Sequence, residues 1–358
     1  MESAGTEQRR APGRERKVGL VLAAIGLCGA AALGATSCAF AQPAYRGPVT
    51  DHFDGRVFYD GIARRGLGDL IRWQRQRTPP AWPAWIESPP GEKPPQRVDG
   101  QAMRVTFVNH ATVLVQAGGV NMLTDPIWSE RASPVSFAGP KRVRAPGIRF
   151  EDLPSIDLVL ISHSHYDHLD LGTLERIARA HSALFVSGLG NDLLLKQHQI
   201  PGARALDWWQ SLEHKGAIVT SVPNQHWCNR SLTDADEALW SAFVVETKAG
   251  RFYFAGDTGY GPHFAAVGKR FPRLRLAILP IGAYKPEWFM APMHQGPAEA
   301  IMAQRDLGAA TAVAMHFGTF PLGDDGIDEA PDVLRQALAT SPGQRFWVLG
   351  FGEGREVP

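Results

Sequence analysis

Cysteine is scarce in this chain. Its 358 residues contain three, Cys28, Cys38 and Cys228, an odd number with no paired spacing and with two near the N-terminus, so the fold cannot rest on internal disulfides. An excess of charge of one sign is missing as well. Lys and Arg total 37 against 36 Asp and Glu, a formal net charge of +1, so no global field draws the molecule to nucleic acid. A phosphate-cradling loop is also lacking: "AGDTGYG" contains glycines but not a nucleotide-binding spacing. What the chain has is apolar residues, 44% of the total. That is enough to bury a large core in one α/β domain or two smaller ones.

Long apolar runs are confined to one place. After the basic patch "RRAPGRERK" comes "VGLVLAAIGLCGAAALGA", about the length of a signal-peptide core or a short membrane span, and "AFA" at Ala39–Ala41 fits a small-residue cleavage site. Residues 1–41 are expected to be a leader that exports the protein to the cell envelope. "ATSC", ending at Cys38, is an imperfect lipoprotein box that would lipid-anchor the protein there, and a retained N-terminal membrane anchor is the alternative. Residues 42–100, rich in Pro, Arg and Trp and poor in periodicity, read as an extended arm laid over a domain that occupies 101–358.

From Arg104 onward the pattern changes. "RVTFV", "TVLVQA" and "VNMLT" are short β-rich runs with a hairpin signal at Gly118–Gly119, and "DLVLIS" is apolar throughout, as a strand covered on both faces requires. Helical spacing in "LGTLERIARAH", "NDLLLKQHQ" and "PAEAIMAQRDL" alternates with strands in "ALFVSG", "AIVTSVP", "RLAILPIG" and "TAVAMHFG", and a hairpin turns near Gly250. Two rounds of strands followed by helices predict two sheets packed face to face with helices outside.

The chemistry concentrates at predicted strand ends. "LISHSHYDHLD" places His163, His165, Asp167 and His168 in six positions directly after a buried strand, and imidazoles and carboxylates in such density are ligands for a borderline cation such as Zn²⁺. His226, Asp257 and His316 each follow another predicted strand. A lone Asp in "GDTG" would read as a turn former, but its place in this series favours a site.

These residues resemble the HxHxDH signature of the metallo-β-lactamase superfamily. The blocks "TDPIWSERASPVSFAGPKR", "ISHSHYDHLD", "QHWCNRSLTDADEALWSAF", "FYFAGDTGY", "LPIGAYKPEWFM" and "MHFGTFPL", from about Asp51 to about Leu322, are similar in order to its N-acylphosphatidylethanolamine-hydrolysing phospholipase D branch. The resemblance implies an α/β fold, the αββα sandwich, with two Zn²⁺ ions or other divalent transition metals. His163, His165 and His226 would hold one ion, Asp167, His168 and His316 the other, and Asp257 would bridge them. It implies attack of metal-bound hydroxide on phosphorus, releasing N-acylethanolamine and phosphatidic acid, with Asp167 and Asp257 as the catalytic carboxylates. Tyr166 and His294 match positions that contact the substrate head group, and His110 matches a supporting position. The implied partners are a phospholipid and a membrane surface, with no nucleic acid; oligomeric state is not legible.

Two other readings of the chain are a lactonase or other small-molecule hydrolase of the same fold, and an envelope lipid-binding protein whose metals only shape a pocket. Lys141, Arg142, Arg144 and Arg149 read as solvated charge or as a steering patch for anionic lipid. His52, His181, His198, His214 and His263 have no ligand context and read as surface or packing residues.

Overall fold

The computed structural model describes residues 41–63, 65–341 and 343–358. Apart from Ala41, the expected leader lies outside the described residues. Among those described, no helix is long and apolar enough to cross a membrane.

One sheet is built from β1 (Met103–Asn109), β2 (Thr112–Ala117), β3 (Val120–Thr124), β4 (Leu158–Ile161), β5 (Leu184–Gly188) and β6 (Ala203–Leu206). The other contains β7 (Ser211–His214), β8 (Ala217–Val222), β9 (Ala242–Thr247), β10 (Gly250–Phe254), β11 (Leu274–Pro280), β12 (Thr311–Met315) and β13 (Phe346–Trp347). A last strand, β14 (Gly354–Glu356), returns to the first sheet and pairs antiparallel with β1. The first sheet therefore runs β14-β1-β2-β3-β4-β5-β6 and the second β13-β12-β11-β10-β9-β8-β7. In each, hairpin-linked antiparallel strands give way to parallel ones, β3 to β6 and β10 to β13.

Side chains of β4 alternate between two cores, as period-2 geometry demands. Leu158 and Leu160 join Val113, Val244, Phe252 and Ile278 between the sheets. Val159 and Ile161 face outward and pack with Leu174, Ile177 and Leu195. The last three come from helices α2 (Leu171–Ala180) and α3 (Asn191–Gln197); α1 (Leu67–Gln76) lies earlier, in the arm. On the second sheet α4 (His263–Arg270), α6 (Pro297–Leu307) and α7 (Glu329–Ala339) contribute Phe264, Ile301 and Leu334 to the inner cluster, while the short α5 (Glu287–Met290) lies toward the arm. The architecture is the αββα sandwich.

The turn between β2 and β3 is the two-residue Gly118–Gly119 pair, both with positive φ (63° and 83°), as a tight hairpin requires. In the β9–β10 hairpin Gly250 pairs with Thr247, so the reversal falls on Lys248 and Ala249, just before the expected glycine.

The arm is less uniform than its composition suggests. Phe53 and Phe58 are fully buried against Trp240, Cys228 and Leu239, so this part is core, and an aromatic pair with no periodicity around it gave no sign of that. Residues 67–76 are helical because they contain no proline and present Leu67, Leu70, Ile71 and Trp73 at helical spacing. Prolines dominate only from Pro79 onward.

Candidate metal centre

The topology brings the ligand-type residues to one edge. β1 and β3 run in the same direction as β4, and β8 in the same direction as β10 and β12, so the C-terminal ends of all six open there. His110, Asp125, the His163–His168 stretch, His226, Asp257 and His316 follow these ends. Three of them, Asp125, His110 and His316, adopt positive φ (31°, 47° and 64°), a sparsely populated region for residues with a side chain. Backbone bonds hold the bends: His316 N–H donates to His110 O at 2.8 Å across the two sheets, and Asp125 N–H to Leu160 O at 2.9 Å. Gly256, also at positive φ, is required by close approach, since a Cβ there would sit 2.4 Å from Ser162 Cβ. Without it the Asp257 loop could not reach the β4 loop.

Three imidazoles converge on one point. His163 Nε2 lies 2.8 Å and His226 Nε2 3.4 Å from His165 Nδ1. His226 Nδ1 donates to Met293 O at 3.0 Å, and His163 Nδ1 donates to Ser162 Oγ at 2.8 Å, which in turn donates to Asp125 at 2.5 Å. Both rings are thereby fixed as tautomers whose Nε2 lone pairs face inward. Tetrahedral nitrogens around a zinc-like ion stand about 3.3 Å apart for a metal–nitrogen bond of about 2.0–2.1 Å, and these separations bracket that value.

A second group faces the first. His168 Nε2 lies 3.2 Å from Asp167 Oδ2 and 3.1 Å from Asp257 Oδ2, while His316 Nε2 lies 3.5 and 3.1 Å from the same two atoms. His110 joins through Nε2, 2.8 Å from Asp167 Oδ2. Asp257 Oδ2 is the shared atom: it also lies 4.0 Å from His226 Nε2 and 3.7 Å from His294 Nδ1. The described residues thus form four groups able to hold a metal: His163, His165 and His226; His110, Asp167, His168 and His316; Asp125, His163 and His168; and His226, Asp257 and His294.

The donor set fits a cation. His165 Nε2, His168 Nε2, both nitrogens of His316, His294 Nδ1 and Asp257 Oδ1 are buried without a hydrogen-bond partner, a costly arrangement unless something binds there. Burial first, then the neighbouring imidazoles, holds His163 well below its ordinary pKa; His226 is likewise low by burial, and His165 is pushed to about 4. His168 and His316 go the other way. Burial depresses both, but the charges of Asp257 and Asp167 outweigh it, raising His168 well above normal and His316 to about 9. Burial raises Asp167 and Asp257, yet His168 and its neighbours hold both far below the usual carboxylate range. Two protons here balance two carboxylates, a charge that one divalent cation supplies equally.

His294 stands at the mouth of this group, its ring 5.2 Å from His226 and its side chain 15% exposed, far more open than His226. Tyr166 is placed differently. Its hydroxyl donates to Arg230 O at 2.9 Å and its ring lies under the Arg230 guanidinium at 4.0 Å, forming part of the wall of a cleft of about 520 Å³ with Ser129, Val135 and Asp170.

The basic stretch divides: Arg142 and Arg144 are packed into the structure, while Lys141 and Arg149 are exposed, solvated charges. Arg142 is buried, its guanidinium donating to Ser129 O and Ile127 O above the Phe320 ring, and burial pushes its pKa down to about 10. Arg144 lies over Phe351, Lys141 pairs with Glu130 and Arg149 with Asp152. His52 is buried between Asp51 and Asp207; His181 accepts from Ile156 N–H, His198 meets Glu175 and His263 meets Thr258, all away from the cluster.

Asp125 and Ser162 were not singled out from sequence. Asp125 accepts from Ser162 N–H at 2.7 Å, from Ser162 Oγ and from His168 Nδ1 at 2.7 Å. The available signal was "LTDP", another carboxylate directly after a buried strand.

An edge rich in metal-ligand side chains between two mixed sheets defines the class, and comparison with known proteins agrees. Residues 120–317 match the family model described as a beta-lactamase superfamily domain. The chain is 40% identical over 230 residues to N-acyl-phosphatidylethanolamine-hydrolyzing phospholipase D 1 of Caenorhabditis elegans, covering 61% of this chain and 64% of that protein. It is 30% identical over 255 residues to a metal-dependent hydrolase of Pyrobaculum aerophilum, 71% of this chain and all of the other. A solved metallo hydrolase of Ignicoccus hospitalis shares the fold at a TM-score of 0.53 and 22% identity, covering 72% of this chain and 99% of that one. The class is that of the metallo-hydrolases. Within it, the chain belongs to the metallo-β-lactamase superfamily, and it spans less than two thirds of the length of the phospholipase D to which it is similar.

Proposed function

We propose that the protein is a dinuclear zinc phosphodiesterase that hydrolyses N-acylated ethanolamine phospholipids to N-acylethanolamine and phosphatidic acid. The observation that carries this reading is Asp257 Oδ2 standing between a three-histidine group and an Asp167, His168, His316 group. In this reading His163, His165 and His226 hold one ion, Asp167, His168 and His316 the other, and Asp257 both. When bound, two such cations acidify water and offset the charge of a phosphodiester.

The chain's own residues supply the rest. Asp125, through Ser162 and His168, orients one imidazole of each group and keeps its lone pair inward. His294, more open than His226 or His316, holds a phosphoryl or head-group oxygen, and Tyr166, in the wall of the cleft with Ser129 and Asp170, offers its ring to the substrate. Residues 1–41 act as an export leader in the same proposal, which the mass of the N-terminus from the native host tests: a start at Gln42 or a lipidated Cys38 is expected, and an intact leader would overturn it.

Cleavage in heavy-oxygen water tests the reaction. Because the alcohol leaves with its own oxygen, label must enter phosphatidic acid and be absent from N-acylethanolamine. Label in the ethanolamine or in a free fatty acid would replace phosphodiester cleavage with carbon–oxygen scission or acyl hydrolysis.

A further inference from the structure

Helix α1 buries one residue, Trp73. That indole stacks on Phe289 at 4.9 Å and donates to Asp324 at 2.7 Å, and Arg77 pairs with Asp324 at 2.9 Å, so the helix is fastened along a single line. Its other apolar residues face away from the protein: Leu67 is 72%, Ile71 43% and Leu70 38% exposed. At i, i+3 and i+4 they share one side of the helix within about 100° of arc. Among these exposed side chains stands a concentration of positive charge. Residues 61–78 contain five arginines and one acid, Asp69, in a chain whose overall charge is nearly balanced; Arg77 is paired with Asp324 and Arg72 lies over the Trp288 ring at 4.5 Å, while Arg65 and Arg75 are exposed.

The anchor leads to the candidate metal centre. Trp73 shares an apolar cluster with Phe289, Met290 and Met293, against which Trp227 packs. Trp227 lies edge-on to His165 at 4.7 Å, and Met293 O accepts the His226 Nδ1–H.

We propose that α1 docks the protein on an anionic lipid surface, lying in the headgroup plane with Leu67, Leu70 and Ile71 inserted and the arginines against lipid phosphates. Exposed Leu and Ile beside arginine on a surface helix is the composition of an interfacial helix, and the charge selects anionic lipid over a neutral apolar partner. Docking there sets the cluster of Trp73, Phe289 and Met293 between bilayer and metal centre, a short apolar route for a lipid substrate. The substrate's identity rests on the phospholipid reading above; the binding surface does not.

Hydrogen exchange of the full chain, followed by mass spectrometry with phosphatidylcholine vesicles that contain or lack phosphatidylglycerol, tests this. Amides of residues 67–76 should exchange about tenfold more slowly with the anionic vesicles only. L67S/L70S/I71S should abolish that protection, and R65S/R75S should raise the vesicle concentration needed for half of it by about fivefold for each arginine removed, with metal content and cleavage of a soluble phosphodiester unchanged. Unchanged exchange in α1 while the protein sediments with vesicles would overturn the proposal, as would full protection in either variant. So would protection that grows with protein concentration in the absence of lipid, which assigns the face to a second copy. Protection of α1 in a protein that cleaves no phosphodiester would sink the reaction and leave the docking surface standing.

Discussion

Asp125 accepts the Nδ1–H of His168 at 2.7 Å, and neither side chain has any exposed surface. That bond decides which nitrogen of His168 faces the candidate metal centre. In Asp125→Asn the amide can turn its NH₂ toward Nδ1, making Nδ1 the acceptor and pointing Nε2–H at the site. Removal of such an orienting carboxylate costs about 10–100-fold in metal affinity. Competition with a chelating dye should show that loss, and wild-type affinity in Asp125→Asn would remove the tautomer argument.

Metal content tests the grouping around Asp257. With seven ligand-type side chains divided into two groups, purified protein should carry about two zinc-like ions per chain by elemental analysis. Asp257→Asn should lower both occupancy and turnover, because Oδ2 is shared between the groups. His181→Ala should leave both near wild type, since this ring meets the Ile156 N–H at 3.4 Å and the Phe150 ring and none of the ligand-type residues. One ion in fully active protein, or equal losses in the two variants, would contradict the arrangement.

Much of this centre was legible because its chemistry obeys local rules. His163, His165, Asp167 and His168 are adjacent in sequence, and His226, Asp257 and His316 each follow an apolar run short enough to be a strand. Asp125 escaped because its role depends on a tertiary bend at positive φ that no periodicity encodes, and His110, at another such bend, was legible only through the family resemblance. Helix α1 was hidden by the prolines downstream, and β6, β7 and β14 by short, partly exposed sequences whose pairing comes from neighbours. The buried part of the basic stretch was hidden for a different reason. Arginine can bury its guanidinium against carbonyls and an aromatic ring, as Arg142 does, and composition cannot separate that from a solvated charge.

His294 separates positioning of substrate from holding metal. Its Nδ1 is buried without a partner 3.7 Å from Asp257, yet it is more open than His226 or His316. His294→Ala should reduce kcat/KM by about 10–100-fold, as loss of a polar contact of about 1.5–3 kcal/mol implies. Both ions should remain. Loss of metal in this variant would move His294 among the ligands and require redrawing the site.

The arm is latched by a titratable group outside the candidate metal centre. His52 is held between Asp51 at 2.6 Å and Asp207 at 2.7 Å and stacks on Trp208 at 4.4 Å, joining the arm to the loop before β7. Burial lowers its pKa, but the bonds and charges of Asp207 and Asp51 outweigh this and raise it above the ordinary value. A folded-state pKa above the unfolded one means that the latch is fully stabilising below the unfolded value, about 6.5, and is lost as pH rises through the folded one. Discounted for solvent screening, the contribution is about 1 kcal/mol, or roughly 2 °C in unfolding temperature for a chain of this size. Thermal unfolding of wild type and His52→Gln should therefore differ most at mildly acid pH and converge as pH rises through the folded-state value, with Asp207→Asn behaving alike. A gap that stays constant, or widens as pH rises, would show that His52 holds the arm through packing on Trp208 and not through its charge.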